Sequence, residues 1–185
     1  MLAVFVSDNS IPQFDTPVYR ASPQCELILA PVEQHPFVDI SWQLSIEPTL
    51  VTTQRLNQLY QHTGFMYACG LQLLEHLIAG HLISHVLVNP QTSDIPRPVE
   101  SNLLYVSDFH HLDNPLTPNY TSFYGDASTV LRMAQLHMYL PRLPLYTSIY
   151  PNMQRKGIPE DQFDKFVWRT FCAMQNIGIR KFETL

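Results

Sequence analysis

Between Pro48 and Pro90 the apolar residues recur with the period of an α-helix, and this run constrains the fold more than any other part of the chain. Leu56, Leu59, Tyr60, Tyr67, Leu71, Leu74 and Ile78 recur at helical spacing, with Tyr60 four after Leu56 and the later members three, four or seven apart, which lines side chains along one helical face. The pattern predicts a helix over 53–79, with the hydroxyl of Thr52 or Thr53 as its N-cap. Gly64 and Gly70 each weaken such a helix by roughly 1 kcal/mol relative to Ala. They mark either a break or a place where another backbone comes close. Gly80 is the natural stop. Leu82 to Val88 reads as a buried strand closed by Asn89-Pro90, and a competing reading carries the helix through Gly80 to Leu87. Phe65 to Val88 is apolar enough to raise the question of a membrane span. It also contains Gln72, Glu75, His76, His81, Ser84 and His85 and has no basic flanks, a polar load that a spanning helix rarely carries. A buried core segment and no membrane insertion are expected.

On either side of this run the punctuation changes. Before it, Leu2–Val6, Glu26–Leu29 and Phe37–Leu44 read as short strands set off by prolines, and Val38, Ile40, Trp42, Leu44 and Ile46 alternate as one strand face. After it, residues 90–126 form a Pro-rich loop region with a strand candidate at Leu103–Val106. The last third reads as helical. Asp126 or Ser128 opens a helix through Leu140, which Pro141 stops, and Pro141, Pro144 and Pro151 predict an extended connector carrying Tyr146 and Tyr150. Pro159, Glu160 and Asp161 start a final helix with Phe163, Phe166, Val167, Phe171, Met174 and Ile177 on its apolar side, and Gly178 ends it. The expected fold is therefore α+β: short N-terminal β-strands, a long central helix and a helical C-terminal third. It is expected to be one compact domain over 1–185, β-rich in 1–50, helix and strand in 51–90, loop in 90–126 and helical in 127–180.

Charge is distributed unevenly along this plan. Of eleven Lys and Arg, only Arg20 and Arg55 precede residue 93, where they face seven acids, a net of −5. From Arg132 onward eight bases face Glu160, Asp161, Asp164 and Glu183, a net of +4. Either the halves dock on each other or the last third meets an anionic partner. The charged fraction is 15%, below the roughly one quarter common in soluble domains, so part of the surface is expected to be covered by a protein partner. The overall charge of −5 disfavours broad nucleic-acid binding by the whole chain. Cys25, Cys69 and Cys172 are odd in number and far apart, so a reducing, cytoplasmic setting is expected rather than a disulfide framework. Met1 to Val6 lacks the basic n-region and the long apolar core of a signal peptide.

Three constellations could carry chemistry. His76, His81 and His85 lie within ten residues, and His81 and His85 are four apart, a spacing that lets two imidazoles reach one metal on a helix. The Glu of a HExxH helix is missing between them. Eight histidines cluster readily by chance, so no metal and no cofactor are expected, with His81 and His85 the weak candidates. Cys69 lies in an apolar run and reads as an inert thiol rather than a nucleophile, and no P-loop, Rossmann glycine fingerprint or Cys-x-x-Cys occurs. The third constellation is the basic C-terminal third, where Arg142, Arg155, Lys156, Arg180 and Lys181 are the candidate partner-binding or nucleic-acid-binding residues. Tyr139, Tyr146, Tyr150 and Trp168 interleave with them, and cations with aromatics suit a single-stranded nucleic acid. The leading expectation is a noncatalytic small subunit or adaptor within a larger cytoplasmic protein assembly. The alternatives are a nucleic-acid-associated factor using the basic third and a metal-dependent enzyme using the histidines.

Overall fold

A computed structural model of the chain describes residues 2–6, 25–29, 49–89 and 100–181. The alternating segment from Val38 to Ile46 lies outside the described residues. The fold is α+β, built on one mixed sheet of strands β1 (Leu2–Val6), β2 (Cys25–Leu29), β3 (His85–Val88), β4 (Leu103–Val106), β5 (Phe123–Asp126) and β6 (Gly178–Lys181) in the order β2-β1-β3-β5-β4-β6. β1 is parallel to β2 and β3, β5 is antiparallel to β3 and β4, and β6 is parallel to β4. β5 alone therefore runs against the others. The register sets Val86, Gly125, Leu104 and Ile179 in one row and Val88, Phe123, Val106 and Lys181 in the next. Val86, Val88, Leu104, Val106 and Phe123 consequently share the face that is buried in the core, as strand alternation requires.

The helices are α1 (Leu50–Ile78), α2 (Ala127–Ala134), α3 (Leu136–Tyr139), α4 (Tyr150–Arg155) and α5 (Phe163–Met174). α2 packs on β3, β4 and β5, and α1 packs on α2, α3 and α5. α1 begins earlier than the sequence pattern suggests. Thr49 is its N-cap, its Oγ1 accepting from the Thr52 N–H at 3.1 Å, while the Thr52 and Thr53 hydroxyls both donate back to the Thr49 carbonyl. The expected cap was thus one turn too late, because all three hydroxyls fit the pattern and only the backbone geometry ranks them. The helix is not broken at either glycine. Gly70 marks a close approach instead: a Cβ there would sit 2.6 Å from the Ala134 Cβ of α2. Gly80, at φ +90, takes the left-handed conformation that ends helices, so the reading that extends the helix to Leu87 does not hold. The strand that follows is shorter than expected, covering His85–Val88.

Further expectations are corrected. The region 90–126 holds a second strand, β5, because Phe123–Asp126 finds ladder partners on both sides. The connector after Pro141 is not extended. It is a 3₁₀ turn at Leu140–Arg142, a π turn at Leu145–Ile149 and then α4. Pro141 and Pro151 fall in first turns, where a missing N–H costs nothing. Tyr146 and Tyr150 are buried as a result, with ring centroids 5.6 and 5.3 Å from Phe163. The 126–140 helix splits at Gln135 into α2 and α3. The last helix starts at Phe163, behind a 3₁₀ turn at Glu160–Gln162, and stops at Met174. Gly178 opens β6 rather than closing that helix, so the last third is not helical throughout. Phe163, Phe166, Val167, Phe171 and Ile177 are buried as the pattern implied, whereas Met174 is exposed.

Candidate functional site

The five candidate cations separate into two sets once folded. Arg180 and Lys181 sit on the edge strand β6, whose pairing with β4 brings them beside the acidic middle of the chain. The Arg180 guanidinium meets Glu100 at 2.8 Å, and the Lys181 ammonium lies 3.2 Å from Asp108 and 3.0 Å from Asp113. Both aspartates come from the β4–β5 connection. There His111, Leu112 and Asp113 take φ of 40, 56 and 58 in a left-handed turn that carries Asp113 onto the lysine. Hydrogen bonds to Asp113 and Asp108 hold the Lys181 ammonium above its ordinary pKa. Arg132 is likewise held within the fold, donating to the Gln175 carbonyl at 3.0 Å and to Asn102 Oδ1 at 2.6 Å. The second set is different. Arg142 ends the 3₁₀ turn, Arg155 ends α4 and Lys156 leads into the left-handed Gly157. All three are exposed, and none of their side chains has a hydrogen-bond or ion-pair partner among the described residues.

The aromatics that alternate with these cations in sequence do not accompany them to the surface. Tyr146, Tyr150 and Trp168 are buried, and of the four Tyr139 alone is exposed. Tyr146 donates to Thr52 and Tyr150 to Glu160, and Glu160 also accepts from Thr49 at 3.0 Å, so this region fastens the α4 segment to the start of α1.

The clustered histidines lie at the other end of α1. The rings of His76 and His81 meet edge-on at 5.1 Å. His85 shares a 2.7 Å hydrogen bond between its Nδ1 and the Ser84 hydroxyl and stacks on Tyr124 at 6.0 Å. Burial lowers the His85 pKa, with Asp126 opposing. His81 and His85 thus keep separate neighbours, and no group of three His, Cys, Asp or Glu able to hold a metal ion occurs among the described residues. Cys69 and Cys172 are free and buried, burial pushes both thiols up, and the Cys172 sulfur lies 3.3 Å from that of Met133. No helix among the described residues is long and apolar enough to cross a membrane.

Two features escaped sequence reasoning. The first is a row of apolar side chains on the outer flank of α1. Leu71, Leu74 and Ile78 are 46, 44 and 78% exposed, and Leu82 beyond the helix is 84% exposed. Their helical spacing made them look like core, but the core is formed by the neighbouring face with Leu56, Leu59, Met66, Cys69 and Leu73. The second is a polar cluster inside the protein. Tyr120, in the β4–β5 connection, donates its hydroxyl to Asp164 Oδ2 at 2.7 Å, and both residues are buried. The Tyr120 ring also lies 5.0 Å from His62 and 6.2 Å from Trp168. The one hint in the sequence is the four-residue spacing of Asp164 and Trp168, which sets them on one face of α5. The chain matches no protein-family model, and no curated protein is significantly similar to it.

Proposed function

We propose that this chain is a noncatalytic small subunit or adaptor of a larger cytoplasmic assembly, and that it engages an acidic protein surface through Arg142, Arg155 and Lys156. The supporting observation is the division of the cations. Where Arg132, Arg180 and Lys181 are engaged by the chain's own oxygens, these three remain exposed and unpartnered among the described residues. Unpaired charges at a rim steer association and select partners. The exposed Leu71, Leu74, Ile78 and Leu82 add apolar area of the kind that an assembly covers. Burial of Tyr146, Tyr150 and Trp168 removes the stacking faces that a single-stranded nucleic acid would use, which favours protein over nucleic acid.

The test is capture of the native chain with and without nuclease, repeated with the double variant Arg155→Glu, Lys156→Glu. The expected result is a nuclease-resistant protein complex that the double variant loses, with weak oligonucleotide binding the same in both. The reading is overturned by tight oligonucleotide binding that weakens with salt at a log–log slope of about −0.7 per phosphate neutralised and disappears in the variant.

A further inference from the structure

Asp164 stands in the first turn of α5, where the helix dipole favours an acid, yet it is only 3% exposed. A buried carboxylate needs hydrogen-bond donors, and the Tyr120 hydroxyl supplies one, to Oδ2. Oδ1 has no partner among the described residues and is itself buried. Three more buried atoms share that condition: Gln162 Oε1 just ahead of α5, and two on residues that Tyr120 touches, Nε1 of Trp168, one turn along α5, and Nε2 of His62 on α1. Tyr120 links Asp164, His62 and Trp168, bonding Asp164 through its hydroxyl and packing its ring on His62 at 5.0 Å and on Trp168 at 6.2 Å.

The chemistry of the three atoms defines what would complete them. Trp168 Nε1–H is a donor only, and Asp164 Oδ1 is an acceptor. His62 hydrogen-bonds the Tyr120 main chain, and Nε2 is the ring nitrogen left unpartnered. A bond of that kind to the carbonyl uses the N–H at Nδ1, so Nε2 of the neutral ring carries a lone pair. Burial keeps this ring neutral by lowering its pKa to about 4. The complementary guest must accept one hydrogen bond and donate two. A metal cation or an ammonium offers no lone pair to the indole N–H, and an anion is repelled by the carboxylate. Water has two O–H donors and two lone pairs, and interior waters typically make about three hydrogen bonds to groups left unpaired by the protein.

We propose that one structural water is bound in the interior at Tyr120, donating to Asp164 Oδ1 and His62 Nε2 and accepting from Trp168 Nε1–H, and that it ties α1 and α5 to the β4–β5 connection. The experiment is water-selective NOE spectroscopy on the ¹⁵N-labelled full chain, read at the Trp168 indole proton, together with the ¹⁵N shifts of His62. The expected result is a direct cross-peak from a long-lived water to that indole proton, and a His62 ring protonated at Nδ1 with Nε2 shifted as a hydrogen-bond acceptor. His62→Phe, which withdraws one acceptor, should remove the cross-peak or shorten the water lifetime until it vanishes. Absence of the cross-peak in the wild type, or a His62 ring protonated at Nε2, overturns the assignment, and this holds whether or not the variant folds.

Discussion

Asp164 and Lys181 are both ionisable residues of the last third, and both are held by oxygen partners, yet they sit in opposite media. Asp164 is 3% exposed and bonded to a buried tyrosine. The Lys181 side chain is 43% exposed and shares two aspartates that are 55 and 68% exposed. In the interior a polar group has no water to fall back on, so losing its partner carries the full desolvation penalty. At the rim, water and salt replace a lost partner at little cost. The polar interior around Tyr120 should therefore govern stability, and the cationic rim should govern association.

The largest effect expected of this contrast is acid sensitivity from His62. Burial lowers its pKa from 6.5 to about 4, against the opposing hydrogen bond to Tyr120. As pH falls below 6.5 the unfolded chain takes up a proton that the folded ring refuses until about pH 4. Stability is therefore lost across that interval, by up to about 3 kcal/mol. Urea midpoints measured between pH 7 and 4 should fall in the wild type and fall distinctly less over the same range in His62→Phe, where the lowered pKa of His85 still contributes. Asp126 acts in a lower window. Burial raises its pKa, but hydrogen bonds from Thr129 and Ser128 outweigh this and bring it below 3.8. Its contribution is thus lost only as the pH drops beneath the ordinary carboxylate range. A wild-type midpoint that does not change between pH 6.5 and 4.5 would contradict the burial of His62.

Next in size is the Tyr120–Asp164 bond. Tyr120→Phe leaves the buried carboxylate without its donor, and Asp164→Ala leaves the buried hydroxyl without its acceptor, each at a cost of roughly 1–3 kcal/mol. The double variant should cost less than the sum of the two, since the partners share one interaction. Additive losses in chemical denaturation would show that the two groups do not interact in solution.

The smallest effects belong to the rim. Asp108→Asn and Asp113→Asn should each cost about 0.2–1 kcal/mol at low salt and less at high salt. Arg155→Glu with Lys156→Glu should leave stability within about 0.5 kcal/mol of wild type even though it is the change expected to abolish complex formation. If the aspartate variants cost as much as Tyr120→Phe, the contrast between rim and interior collapses.

What could be read beforehand depended on how far along the chain the cause lay. Arg155 and Lys156 were legible as surface residues because Pro151, Gly157 and Pro159 stand within a few positions and impose a turn. Arg180 and Lys181 carried the same charge and invited the same reading, but the partners that occupy them, Glu100, Asp108 and Asp113, arrive only through β4–β6 pairing and a left-handed turn. Leu71, Leu74 and Ile78 show a related limit. Periodicity identifies a helical face but not the element that covers it, and α2 seats at Gly70 and Ala134, leaving these residues on the open flank. The β5 strand was hidden because its pairing is nonlocal: four residues ending in Gly125-Asp126 look like a helix start until β3 and β4 are beside them.

Local chemistry alone, then, determined the α+β class, the long central helix with its stop at Gly80, the strand after it, the apolar face of the last helix and the exposure of the Arg155–Lys156 turn. These follow from backbone conformation and short-range spacing, which each residue carries wherever it is placed. Tertiary structure alone decided the rest: the ladder that made β5 and β6, the helical packing of a proline-rich connector, the division of the cations into paired and unpaired sets, and the meeting of His62, Tyr120, Asp164 and Trp168. The physical reason is that a side chain's worth depends on its medium and its partner, and both are supplied by residues distant in the chain.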